Sequence, residues 1–261
     1  MNSVEARRMD RNGGVWAVVP AKLFAHTKRR LMPLLSSDER RTLACAMLAD
    51  VLSALMRAPC LAGVIVVTSE RKMGAIAHAA GAVVMSDDEN TDMNAAVAEG
   101  AHRLAEMGQS GMLVIPADVP LITVADVEAI VLAHRAAPSI TLVPATKDGG
   151  TNALACSPPL AVPCRFGEDS LRAHQEAARD AGITAGVVRL ERVGLDIDRP
   201  DDLAEFLLRS SPAQSYAYLI SSGIAQRLRS VDRCRESCRT TAPMIEGPSP
   251  HDNLPRVDPH A

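Results

Sequence analysis

From Val15 to about Leu208 short apolar runs alternate with longer segments of mixed polarity. Residues 15–19, 63–67, 112–115 and 140–143 are nearly unbroken aliphatic and β-branched runs, the pattern of strands covered on both faces. Between them the period lengthens. Ser36 and Glu39 make a capping box, and Leu43, Met47, Val51 and Leu55 follow at helical spacing. Segments 71–80, 94–107 and 123–136 have the same helical period, and Thr123 with Asp126 repeats the capping signal. Such alternation implies right-handed βαβ crossovers and a sheet with helices on both faces. Asp148-Gly149-Gly150, between two apolar runs, predicts a hairpin tip, so one strand turns back and the sheet is mixed. A helix from about Glu168 to Ala181 is expected to stop at Gly182.

The expected fold class is therefore α/β, a single three-layer domain with a mostly parallel mixed sheet, spanning 14–209. Residues 210–261 are rich in Ser, Pro and Arg and lose clear periodicity, apart from a short helical stretch near 216–228. They read as a polar C-terminal appendage, largely disordered from about residue 240.

Composition narrows the function. The chain has 261 residues, 47% hydrophobic and 23% charged, an ordinary globular balance. No stretch approaches the roughly 18 apolar residues of a membrane span, and no apolar run follows the polar first dozen residues, so a cytoplasmic location is expected. With net charge −3 and only one Trp, two Tyr and three Phe, the chain offers neither a basic field nor stacking platforms for nucleic acid, and nothing for an anionic membrane. The six cysteines are scattered without a CxxC and read as reduced thiols. GxSxG, HExxH, Walker A and GxGxxG are all absent. The seven histidines are dispersed and read as surface or satisfied residues.

In open α/β sheets ligands bind beyond the carboxyl ends of the strands, and three such ends are rich in charge. Lys22, Lys28, Arg29 and Arg30 put four cations into nine residues after the first strand, suited to a polyphosphate or simply a solvated basic turn. Asp118 follows a buried strand in Pro116-Ala-Asp118-Val-Pro120; it either caps the next segment or binds Mg²⁺, a hard cation that takes one or two carboxylates. Asp196 and Asp198 alternate on an extended segment and so face one side; they are metal ligands, or Asp198 caps the helix starting near Pro200. Together these groups suit Mg²⁺–nucleotide chemistry.

The combination PxK…K-x-RL, PAD-V-P-L, Gly150-Thr151-Asn152-Ala153-Leu154, Arg165-Phe166-Gly167-Glu168-Asp169-Ser170 and Leu195-Asp196-Ile197-Asp198 resembles the CofC/FbiD family of guanylyltransferases of coenzyme F420 biosynthesis. The resemblance covers roughly 14–207. It implies a nucleotide-diphospho-sugar-transferase-like fold and transfer of GMP from GTP to 2-phospho-L-lactate, phosphoenolpyruvate or 3-phospho-D-glycerate, with pyrophosphate leaving and the product handed on to the deazaflavin precursor Fo. By the same implication Thr151, Gly167 and Ser170 hold the acceptor, with Asn94 and Asn152 also at the substrates, and Asp118, Asp196 and Asp198 gather Mg²⁺; independently, by their charge, Lys22, Lys28 and Arg30 can hold the triphosphate and stabilise the leaving pyrophosphate. Two positions depart from the family pattern: Asp92-Met93-Asn94 in place of Gly-Leu-Asn, and Arg29 in place of a small residue. The alternatives are a related molybdenum-cofactor or sugar-phosphate nucleotidyltransferase, and a non-catalytic nucleotide-binding regulator. The residues do not specify which acid is preferred or the oligomeric state.

Overall fold

The structure is a computed structural model that describes residues 13–21, 28–86 and 92–230. Lys22, the tail beyond residue 230 and its Cys234 and Cys238 lie outside the described residues.

Seven strands form one sheet: β1 Val15–Pro20, β2 Gly63–Val67, β3 Val83–Met85, β4 Gly111–Val114, β5 Ser139–Pro144, β6 Thr151–Ser157 and β7 Gly186–Val187. Their order is β3-β2-β1-β4-β6-β5-β7. Only β6 runs against its neighbours, paired antiparallel with both β4 and β5. The Asp148-Gly149-Gly150 turn joins β5 to β6, as expected of a hairpin tip, so β6 begins at the edge where the parallel strands end. That reversal delivers Thr151 and Asn152 to the same edge as the loops after β1 and β4.

The helices are α1 Ser37–Leu55, α2 Arg71–Ala80, α3 Met93–Glu106, α4 Val124–Ala133, α5 Ser170–Asp180, α6 Pro200–Leu208 and α7 Gln214–Ser221. Both capping boxes form, at Ser36 with Glu39 and at Thr123 with Asp126. The expected helix 123–136 stops early: His134 leaves the helix, and its ring bridges Thr141 Oγ1 at 3.0 Å and Ser157 Oγ at 2.9 Å on the sheet. Asp92, one of the departures from the family pattern, caps α3 by accepting from the Ala95 amide at 2.8 Å.

Strand residues alternate between two buried layers. Ala17, Val19, Val64, Val66 and Leu113 pack under α1, α2 and α4, while Trp16, Val18, Ile65, Val67 and Val114 face α3 and α5. Gly100 lets α3 lie close to the sheet; a Cβ there would come within 2.7 Å of the Val18 side chain.

A third core corrects the expected domain boundary. Leu31, Leu35, Leu43 and Met47 pack with Leu203 and Phe206, and also with Leu219, Ile224 and Leu228 from the supposed appendage. Residues 214–230 thus belong to the folded unit, as α7 and a further helical turn sequence over 224–230, separated at Gly223 with φ 74°. The cause is a distant cap. Asp50 of α1 accepts from the Gln214 amide at 2.6 Å, the Ser215 amide at 3.0 Å and the Ser215 hydroxyl at 2.6 Å, satisfying the start of α7. Among the described residues no helix is long and apolar enough to cross a membrane, and Cys45, Cys60, Cys156 and Cys164 are free thiols.

Candidate active site

Three chain segments meet where β1 and β4 end. Lys28 follows β1 in a left-handed conformation, φ 57° and ψ 31°, just before a single 3-10 turn over Arg29–Leu31. A non-glycine residue held there costs on the order of 1 kcal/mol or more and needs its surroundings to fix it. They do: Leu31 is fully buried in the third core, and the Lys28 ammonium reaches Asp118 Oδ2 at 2.6 Å and Asp198 Oδ1 at 3.5 Å. Arg30 donates to Asp198 Oδ2 at 2.8 Å from the exposed side. Burial alone would lower the Lys28 pKa, but Asp118 and Asp198 outweigh it and hold the ammonium above its ordinary value.

The acidic segment is not a strand. Residues 195–198 run extended beside the β4 turn, with the Ile197 amide donating to the Asp118 carbonyl at 2.9 Å. Leu195 and Ile197 point into the third core, which leaves Asp196 and Asp198 on the opposite side, as their alternation predicts, where both border one hollow. Upstream, Asn152 donates to the Val193 carbonyl at 3.0 Å, the Thr146 hydroxyl donates to the Gly194 carbonyl at 2.8 Å, and Arg192 grips buried Asp126 with two bonds of 2.8 and 2.9 Å. Asp198 does not cap the next helix; Asp202 does so, accepting from the amides of Asp198 and Arg199. The Asp198 carboxylate is thereby available to the cations.

Asp196 accepts from Asn152 Nδ2 at 3.1 Å. Burial, reinforced by the nearby Asp118 charge, pushes its pKa up to about 6. A carboxylate crowded in this way favours a proton or a further cation. Among the described residues no three His, Cys, Asp or Glu side chains converge as a ready-made metal cage. Mg²⁺ needs only one or two carboxylates, with phosphate oxygens and water completing its shell, so one or two of Asp118, Asp196 and Asp198, all oxygen donors, would suffice for that ion.

Beside these charges opens a cleft of about 330 Å³ lined by Pro20, Met47, Met73, Met93, Pro116 and Ala117, with Lys28, Asp118 and Asp198 at its polar end. Methionines legible only as core filler therefore also form its wall. A second hollow of about 230 Å³ lies on the other side of Asp198, bounded by Arg30, Lys147, Asp196 and Arg199.

The remaining expected site residues gather around α5. Thr151 and Ser170 are buried, and Gly167 is exposed at φ 141°, where an added Cβ would meet nothing within 4 Å. Asn94 is taken up by the Phe166 backbone, accepting from its amide at 2.7 Å and donating to its carbonyl at 3.0 Å; its side chain anchors the loop that holds Gly167. Asn152 likewise orients Asp196. Sequence reasoning missed the interior partners Arg192 and His174, which carry no motif of their own, and read Asp126 only as half of a capping box, not as the partner of Arg192.

This sheet order, with one reversed strand and a charged cleft beyond the parallel strand ends, defines a nucleotidyltransferase-type α/β domain. Solved structures agree on the fold: one from Desulfovibrio desulfuricans G20 assigned to the nucleotide-diphospho-sugar transferases superposes with a TM-score of 0.67 at 16% identity, over 84% of this chain and 98% of that one. CMP:2-keto-3-deoxy-manno-octonic acid synthetase, solved with CTP, gives 0.53 at 13% identity, over 74% of this chain and 97% of that one. The chain belongs to the CofC-like guanylyl transferase family, whose model matches residues 15–239. It is 33% identical to the phosphoenolpyruvate guanylyltransferase of Conexibacter woesei over 72% of this chain and 85% of the relative. Identity is 36% to the 3-phospho-D-glycerate guanylyltransferase of Colwellia psychrerythraea, over 75% of this chain and 92% of that protein. With the 2-phospho-L-lactate guanylyltransferase of Methanothermobacter thermautotrophicus it is 32%, over 78% and 88%.

Proposed function

We propose that the protein transfers a guanylyl group from GTP to a small phosphorylated three-carbon acid (phosphoenolpyruvate, 3-phospho-D-glycerate or 2-phospho-L-lactate), with Mg²⁺ present, as a step toward coenzyme F420. The observation that carries this reading is the meeting of Lys28, Asp118 and Asp198, from segments far apart in the chain, at the polar end of one cleft, with Arg30 and Asp196 on the adjoining hollow that shares Asp198. The named activities of three relatives support the acceptor class.

An oxygen of the acceptor phosphate attacks the α-phosphorus, a new P–O bond forms, and the bond to the bridging α,β oxygen breaks as pyrophosphate leaves. The attacking oxygen is already anionic near neutral pH, so no side chain has to remove a proton. The work of the protein is positioning and charge neutralisation. Lys28 and Arg30 donate to phosphate oxygens and offset the charge accumulating on the leaving group. Asp118, Asp196 and Asp198 would hold Mg²⁺, which when bound polarises phosphate oxygens as a Lewis acid. Met47, Met73 and Met93 offer a polarisable apolar wall against a flat purine. Thr151, Gly167 and Ser170 offer hydroxyl and amide donors to the acid without adding net charge. The product, an activated diphosphate, is then handed to the enzyme that attaches it to Fo.

The test incubates the protein with GTP, Mg²⁺ and each acid in turn, follows pyrophosphate and identifies the product by mass. Release with at least one of the three acids is expected. Release with a sugar phosphate or a pterin phosphate but with none of the acids would overturn the reading.

A further inference from the structure

One fully buried histidine ties together every segment that carries the expected acceptor contacts. His174 lies on α5, one turn after Ser170, with no solvent exposure. Its Nε2 lies 2.9 Å from the Arg165 backbone nitrogen, and its Nδ1 lies 3.1 Å from Thr151 Oγ1. The Phe166 ring packs edge-on against the imidazole, with centroids 4.9 Å apart and planes at 72°. Phe166 is in turn the residue whose backbone Asn94 clamps from α3.

These contacts determine where the imidazole keeps its proton. A backbone amide can only donate, so Nε2 must present a lone pair to Arg165. A neutral ring then carries its hydrogen on Nδ1. An imidazolium, or the opposite tautomer, would set an Nε2 hydrogen against the Arg165 N–H. Burial favours the neutral state as well, pulling the His174 pKa down to about 4. With Nδ1 carrying the hydrogen, shared between the Ser170 carbonyl one turn earlier and Thr151 Oγ1, the nitrogen offers the threonine no lone pair, so the hydroxyl's own proton is directed elsewhere.

We infer that His174 is a positioning residue: held as its Nδ1–H tautomer by the Arg165 amide, it makes Thr151 a hydrogen-bond donor toward the anionic group of the acceptor acid. The inference rests on the acceptor role proposed above for Thr151. It explains why a histidine with no access to the cleft sits at the junction of β6, the 165–167 loop and α5. A hydroxyl free to rotate presents a lone pair to an anion part of the time; one whose lone pair is already engaged presents its proton.

Two substitutions separate the halves of this relay. In His174→Asn the shorter amide reaches the Nδ1 position, keeping a donor for Thr151 and losing the acceptor for Arg165. In His174→Gln the longer amide reaches the Nε2 position, keeping the acceptor for Arg165 and losing the donor for Thr151. Turnover measured with a phospho-acid accepted by wild type should give His174→Gln a KM for the acid raised about tenfold or more, the scale of one hydrogen bond to a charged group. Its KM for GTP should stay within about twofold, and Asn should recover most of the loss. Equal defects in the two variants, or a GTP KM rising in step with the acid KM, would mean a purely structural histidine and overturn the inference.

Nitrogen NMR of histidine-labelled full-length wild type supplies an arm that needs no variant to fold. An Nδ1–H tautomer at pH 7 without substrates is expected; an Nε2–H tautomer or an imidazolium overturns the proposal. A wild type that uses none of the acids sinks the proposed function whatever the spectrum reports, whereas a wrong tautomer in an active protein sinks only the role given to His174.

Discussion

Replacing Asp50 by Ala tests how a helix from the far end of the chain is attached. The carboxylate is nearly buried and accepts three bonds, two of 2.6 Å and one of 3.0 Å, from donors 164 and 165 positions away. At about 1 kcal/mol net for each bond, removal would cost about 3 kcal/mol. The negative charge beside a helix N-terminus adds a few tenths more. Burial works the other way, pushing the Asp50 carboxyl above its ordinary range despite its three donors. The expected net loss is therefore about 2 kcal/mol. For a folded unit of this size that corresponds to a fall in Tm of about 4–8 °C. Urea denaturation and differential scanning calorimetry read the loss, and limited proteolysis near 209–214 should locate it. Asp50→Asn retains an acceptor and should lose about half as much. The consequence extends to the cleft, because Met47 belongs both to its wall and to the core that α7 covers. An Asp50→Ala protein as stable as wild type, with unchanged cleavage between α6 and α7, would refute the view that residues 214–230 are integral to the fold.

Lys28→Met keeps the side-chain length but leaves Asp118 and Asp198 without their shared cation; kcat/KM for guanylyl transfer should drop about 10²-fold or more, and retention within threefold would remove Lys28 from the reaction. Asp118→Asn should shift the Mg²⁺ concentration needed for half-maximal rate upward at least about tenfold, and an unmoved titration would exclude it as a ligand. His174 has a folded pKa of about 4 against 6.5 for an ordinary imidazole, so the stability it contributes is complete above pH 6.5 and declines as pH falls toward 4, by about 3 kcal/mol in all. Asp196, raised to about 6, opposes this by gaining stability as pH falls below 6, so the measurement is the difference between wild-type and His174→Gln denaturation curves; a difference that does not shrink between pH 7 and pH 4.5 would refute the linkage.

Most strands and helices over 15–208 were legible because their periods are local, whereas the short edge strands β3 and β7, of three and two residues, carried no such pattern and were not read. Residues 63–67 are apolar at every position, since both faces of β2 are covered, and the Ser36–Glu39 box marks its helix within four residues. Asp118, Asp196 and Asp198 stood out as carboxylates at the ends of apolar runs, with capping and metal binding both open; that all three gather around the Lys28 ammonium required the fold. Lys28 and Arg30 were readable only as a cationic loop; that each would settle on a particular carboxylate required the fold. Asn94 and Asn152 entered only through the family resemblance, as substrate contacts; their amides serve the Phe166 backbone and Asp196, a division of labour that no spacing encodes.

What the chain's linear order determined was the alternation of elements, the reversed strand after Gly149-Gly150, and the residue types delivered to one edge of the sheet. Tertiary structure alone decided which charges touch, that Asp50 caps α7, and that His174 faces Thr151. Periodicity arises from neighbours a few residues apart and is written into the sequence itself. An ion pair spanning 90 positions or a cap spanning 164 exists only after the intervening chain has packed, because its free energy depends on a distance that packing creates.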